Sequence, residues 1–156
     1  MINTHRGIIY KICHVYDPDK VYREDLFQEI VLQLWRSFPN FRNESLSSTW
    51  MYRVALNTAI SHFRRQVKKP EGISLSHEEF ILPDLAAFPE DNDNALALNE
   101  AIHQLSRIEK AIIILHLEEK NYSEIGEIMG ITVNNVGVKL NRIKIKLEQI
   151  IKKDRQ

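Results

Sequence analysis

Within "NYSEIGEIMGITVNNVGVKL", residues 121–140, two short helical patterns meet at Gly130, and the second opens with polar groups before running into cations. Thr132 can cap that helix by accepting a hydrogen bond from a backbone N–H two or three residues on. Asn134 and Asn135 carry paired donor and acceptor groups of the kind that read an adenine edge, and Lys139, Arg142 and Lys146 can neutralise phosphate. Val136, Leu140, Ile143 and Leu147 recur at i, i+4, i+7 and i+11, a single stripe for burial. Asn134, Val138, Asn141 and Ile145 fall on the opposite side. Ser123 with Glu127 is a plausible start for the first helix, and Ile125 with Met129 gives an inward pair. Gly130 supplies a residue that turns left-handed without a Cβ penalty. The chemistry is that of a helix-turn-helix lying in a groove of DNA. A plain helical hairpin with a solvated charged face fits the same stretch.

The elements that position these residues are helical throughout. The chain has 156 residues, 44% of them apolar, with five Gly and five Pro. That is enough for one domain or two small ones. No run of alternating β-branched residues appears, so the fold class expected is all-α. Residues 2–16 read as a first helix, and "DPD" at 17–19 as a turn. Residues 22–37 form an amphipathic helix with Leu26, Phe27, Ile30, Val31, Leu34 and Trp35 on its apolar face. Residues 48–68 form a third helix, with Met51, Val54, Ala55, Ala59, Ile60 and Phe63 inward. Further helices are expected over 95–105, 106–119 with Ser106 as N-cap, 123–129 and 132 to about 151.

The net charge of zero conceals segregation. Residues 1–69 hold eleven Lys/Arg against six Asp/Glu, and residues 101–156 hold ten against seven. Residues 70–100 hold eight acids and no Lys or Arg. Two basic helical bodies joined by an acidic connector are expected, bounded as 1–69, 70–94 and 95–156. The connector also carries Phe80, Ile81, Leu82, Leu85 and Phe88, too many apolar groups for a purely solvated spacer. A solvated tether and a mimic of nucleic acid within a basic channel fit its composition equally.

A lone Cys13 fits a reducing cytosol. The N-terminus lacks a signal-peptide pattern, and no apolar run approaches the roughly 20 residues of a bilayer span. A cytoplasmic protein without membrane insertion is therefore expected. The six His show no zinc spacing, and no P-loop, dinucleotide or nucleophile-elbow motif occurs. No metal, cofactor or catalytic residue is expected, and the chain does not read as an enzyme.

Two further stretches carry a family resemblance. "DLFQEIVLQLWRSFPNF", with Asp25, Leu26, Gln28, Glu29, Leu32 and Trp35, and "STWMYRVALNTAISHFRR", with Trp50, Ala55, Asn57, Arg64 and Arg65, together resemble region 2 of extracytoplasmic-function (ECF) sigma factors. These belong to the sigma-70 family of bacterial transcription initiation factors. "LSRIEKAIIILHLEEKNYSEIGEIMGITVNNVGVKLNRIKIKL" resembles region 4. The resemblance implies that Asp25, Gln28, Glu29 and Trp35 bind core RNA polymerase. It implies that Phe41, Arg42, Trp50, Arg53, Asn57, Ser61, Arg64 and Arg65 bind the opened minus-ten element. Thr132, Asn134, Asn135, Val138, Lys139, Arg142 and Lys146 would bind the minus-thirty-five element as duplex.

The implied partners are bacterial core RNA polymerase, promoter DNA as duplex and single non-template strand, and an anti-sigma factor. Capture of unstacked bases suits aromatic faces beside cations. Trp50 is equally suited to a core, and Asp25 and Glu29 also simply favour a helix N-terminus. Ser61 stands where many members carry Asp, and Gly137 where many carry Lys, so promoter preference does not transfer. The alternatives from other classes are a free-standing helix-turn-helix regulator on a duplex operator and a protein-binding helical adaptor.

Overall fold

A computed structural model describes residues 5–17, 19–41, 47–68 and 93–154, of which 63–68 are described by their backbone alone. The described elements are α1 (Arg6–Tyr16), α2 (Lys20–Ser37), a 3-10 turn at Phe38–Asn40, α3 (Ser47–Lys68), α4 (Asp93–His103), α5 (Arg107–Leu117), α6 (Tyr122–Met129) and α7 (Val133–Asp154). There is no strand among the described residues. The all-α architecture in two domains is as expected. The chain divides into one unit over Met1–Ala86 and another over Ala87–Gln156. The apolar connector residues named above lie outside the described residues.

In the first unit α1, α2 and α3 pack mutually. Asp19 starts α2, its Oδ1 accepting from the Val21 N–H at 2.9 Å, so the helix begins two residues earlier than periodicity suggests. Leu26, Phe27, Ile30 and Leu34 are buried from α2, against Ile9, Ile12 and Cys13 of α1 and Met51, Ala55 and Leu56 of α3. Tyr10 and Phe27 stack with ring centroids 5.0 Å apart. The expected apolar face of α2 was too broad. Val31 is only half-buried and Trp35 is 70% exposed. Trp35 sits about 100° round the helix from Leu34, beyond the strip that α1 and α3 cover. Cys13 is sealed in this core, and burial pushes its thiol up to about 12, with Asp17 adding to the rise and Arg23 opposing it.

The second unit is built around α5 and α7. Ala111–Leu115 are buried without interruption, as a helix apolar all round requires. Ser106 caps α5 in a reciprocal box: its Oγ accepts from Glu109 N–H at 3.2 Å, and Glu109 Oε1 accepts from Ser106 N–H at 2.9 Å. Val136, Leu140, Ile143 and Leu147 are all buried, the stripe read from spacing. Full burial of such side chains is worth about 1.5–3 kcal/mol each.

Two local readings are corrected. The cap of α6 is Asn121, whose side chain accepts from Glu124 N–H at 2.9 Å, and not Ser123. The deep partner of Ile125 is Ile128, with Met129 only half-buried. Gly130 takes φ +71°, the left-handed residue expected at this turn. Gly126 carries a constraint that periodicity hides: a Cβ there would stand 2.7 Å from the Ile131 carbonyl oxygen. The backbones of α6 and the turn touch directly at that residue.

Glu109 also reaches α7, accepting from Lys146 Nζ at 2.9 Å. Burial pushes its carboxyl up, but hydrogen bonds from Lys146 and Ser106 outweigh that and hold it below the ordinary 4.5. Two outcomes are expected. Gly126→Val should destabilise the second unit by about 1–3 kcal/mol through overpacking. Gly7→Ala, where a Cβ meets nothing within 4 Å, should add about 0.5–1 kcal/mol to the first. Urea unfolding followed by circular dichroism separates the two. Because the folded Glu109 carboxyl is lowered, its pairing stabilises fully above about 4.5 and is lost as pH falls through the lower folded value. Glu109→Gln retains a capping acceptor, so it should cost about 0.2–1 kcal/mol at neutral pH. That difference should close in acid, as pH-dependent melting would register.

Candidate nucleic-acid interface

The outer stripe of α2 presents Val21, Asp25, Gln28, Leu32 and Trp35, all exposed. Their spacing of four, three, four and three places them on one line along the helix, opposite the buried strip. Apolar Val21, Leu32 and Trp35 alternate with the hydrogen-bonding Asp25 and Gln28, an arrangement suited to another helix. Val21 was not singled out by the motif, although the same spacing reaches it. Glu29 does not share this stripe. It is half-buried, accepts from Gln33 Nε2 at 3.1 Å, and turns toward α3.

There Glu29 and Gln33 line a cleft of about 200 Å³ with Asn57, Thr58, Ser61 and His62. The cleft therefore brings Glu29, grouped from sequence with Asp25 and Gln28, beside Asn57 and Ser61 of the other expected set. Thr58 is spent locally, donating its Oγ1–H to the Val54 carbonyl at 2.7 Å. Asn57 and Ser61 are exposed, while Arg53 is half-buried and engaged in further contacts.

Trp50 is 9% exposed. Its ring lies 4.9 Å from Phe41 and meets Phe38 edge-on at 6.3 Å. The two readings left open for Trp50 are thus unequal in geometry: the indole is a wall of the core, and Phe41 covers it. Phe41 is half-buried and Phe38 is 53% exposed, so those rings carry the accessible aromatic surface. Arg42 lies outside the described residues. Arg64 and Arg65 fall in the last turns of α3, and their side chains are not described.

In the second unit α6, Gly130 and α7 form the helix-turn-helix. Thr132 Oγ1 accepts from Asn135 N–H at 3.2 Å, starting α7 as a capping residue should. Asn134, Asn135, Val138, Lys139 and Arg142 are exposed. From Ile128 to Leu147 there is no acidic residue, so the field over this face is positive. Lys146, also of the expected set, donates to Glu109 of α5 at 2.9 Å and keeps a side chain that is 46% exposed. Tyr122 lies beside Gly137, where a Cβ would stand 3.5 Å from its ring. Among the described residues no three His, Cys, Asp or Glu side chains gather as a metal site requires. No described helix is long and apolar enough to cross a membrane.

Comparison with known proteins finds a family for each unit. The family described as Sigma-70 region 2 matches residues 1–69, and that described as Sigma-70, region 4 matches residues 95–147. The RNA polymerase sigma factor SigV of Bacillus subtilis is 30% identical over 155 residues, covering 98% of this chain and 90% of that protein. The ECF RNA polymerase sigma-E factor of Haemophilus influenzae is 30% identical over 138 residues, covering 81% of this chain and 73% of that one. The sigma factor RpoE of Bartonella quintana, crystallised with the anti-sigma factor NepR, superposes with a TM-score of 0.68 at 17% identity, covering 97% of this chain and 94% of that one. The free-standing regulator is not favoured by these matches. The chain belongs to the ECF subfamily of the sigma-70 family, and is a sigma factor that binds bacterial core RNA polymerase and directs promoter recognition, DNA opening and transcription initiation.

Proposed function

We propose a division of labour in which residues 1–69 hold core polymerase and the opened minus-ten element, 70–94 connect, and 95–156 read the minus-thirty-five element as duplex. The observation that carries it is the outer stripe of α2, where exposed Leu32 and Trp35 continue the line of Asp25 and Gln28. A solvated helix gains nothing from a 70% exposed indole, whereas a partner helix would bury it as an anchor. Asp25, Gln28 and Trp35 then contact the polymerase. Glu29 acts from the cleft side, between the polymerase contact and the DNA contact.

In the same reading Phe41, Arg42, Arg53, Asn57, Ser61, Arg64 and Arg65 receive the unstacked non-template strand. Trp50 supports Phe41 from beneath. Strand opening is driven by the binding energy of captured bases, and phosphodiester chemistry is left to the polymerase, so the chain itself is no enzyme. Thr132 fixes the start of α7, Asn134, Asn135 and Val138 face bases, and Lys139 and Arg142 face phosphate. Lys146, paired with Glu109 and still 46% exposed, continues that cationic flank. An inhibitory partner of the anti-sigma class belongs to this proposal, since the Bartonella protein was crystallised with one. The cytosol is the compartment in which such a factor meets polymerase.

Asp25→Lys combined with Trp35→Ala should weaken core polymerase binding by at least about thirtyfold, since hot-spot anchors are worth about 2 kcal/mol each. Both residues are exposed, so the fold should survive. Unchanged affinity in a pull-down or interferometry titration would remove the α2 assignment. Lys139→Ala with Arg142→Ala should weaken holoenzyme binding to minus-thirty-five duplexes of any sequence. The slope of log K against log salt should fall by roughly 2, one for each phosphate no longer neutralised.

A further inference from the structure

The first two turns of α7 carry an unusual exposed surface. Val133 is 50% exposed and Val138 is 48% exposed, with Gly137 beside Val138 and one turn on from Val133. β-branched residues and Gly disfavour helix, and these Val side chains recover little by burial within the domain. Tyr122, itself 40% exposed, flanks Gly137 and extends the apolar surface. Between these groups stand only Asn134 and Asn135, because residues 131–138 contain no Lys or Arg. The first cation is Lys139, on the flank shared with Arg142.

Base edges sort these groups chemically. Guanine is read by Arg or Lys on O6 and N7, adenine by the paired donor and acceptor of Asn, and thymine by apolar contact with its C5 methyl. We propose that α7 reads A·T pairs in the minus-thirty-five duplex, with Asn134 or Asn135 on adenine and Val138, aided by Val133, against thymine methyl groups. Gly137 lies against the Tyr122 ring, where a Cβ would stand 3.5 Å from it, so Tyr122 borders this readout surface. The cationic flank supplies affinity without sequence, and the apolar and Asn positions supply the sequence. The inference rests on the assignment of α7 to duplex minus-thirty-five DNA.

The test uses holoenzyme assembled from the full chain and bacterial core polymerase. A promoter library randomised in the minus-thirty-five region is selected, and the preferred duplex is remade with deoxyuridine in place of thymidine. Selection of A·T pairs is expected, with binding weakened about fourfold for each thymine methyl removed from the valine surface. Val138→Ala, at an exposed position, should leave thermal unfolding unchanged or improved. It should bind the thymidine duplex more weakly and respond little to deoxyuridine. Selection of G·C pairs throughout, or indifference of the unsubstituted protein to deoxyuridine, overturns the proposal and leaves α7 as a duplex reader. Intact core binding with no minus-thirty-five preference overturns both.

Discussion

Where α6 meets the turn, the Gly126 backbone and the Ile131 carbonyl approach so closely that a Cβ would sit 2.7 Å from the oxygen. The Gly126 carbonyl also accepts from the N–H of Gly130 and from that of Ile131, the latter at 3.0 Å. One residue thus closes α6 and fixes where the chain leaves it. Gly130 supplies the left-handed step, Thr132 restarts the helix, and the stripe from Val136 to Leu147 settles on the core. The outward direction of Asn134 and Val138 follows from these contacts. Relaxing the approach at Gly126 would rotate the reading face along with the packing face.

The first unit solves a different problem with one helix. α2 must bury Leu26, Phe27, Ile30 and Leu34 while keeping a second, partly apolar stripe in water. It does so because α1 and α3 cover only one strip, and Asp25 and Gln28 interrupt the exposed line. Arg36 lies near the end of the helix, so an exposed apolar surface is always flanked by polar groups. Glu29 is drawn off that line into the cleft with Asn57 and Ser61, which joins two surfaces that a linear motif keeps apart. Zero net charge is compatible with this design because opposite charges are concentrated in different segments.

What could be read without coordinates was whatever repeats. The α7 stripe was legible because a helix docked on one side buries every third or fourth residue, and Ser106 because a cap and Glu109 stand three apart. The same rule was available at Asn121 and Glu124, but the later Ser123 competes for it in sequence and only the backbone decides. Trp35 was misplaced because periodicity gives the centre of an apolar face and not its edge, which depends on the width of the neighbouring helices. Lys146 looked like its neighbours Lys139 and Arg142. Its partner Glu109 is 37 residues away, and no local pattern links them. Gly126 was silent for a related reason: its role lies in what is too close to it.

The contrast between the two indoles has an optical consequence. The chain has two Trp, both in the first unit. Trp50 is enclosed by Phe38 and Phe41, while Trp35 stands in solvent. Their emission therefore divides into a blue component that reports melting of the α2–α3 core and a red, readily quenched component that reports coverage of the α2 stripe. The helix-turn-helix is dark to both, apart from tyrosine. Collisional quenching of the untouched protein can thus watch the first unit engage without any attached dye.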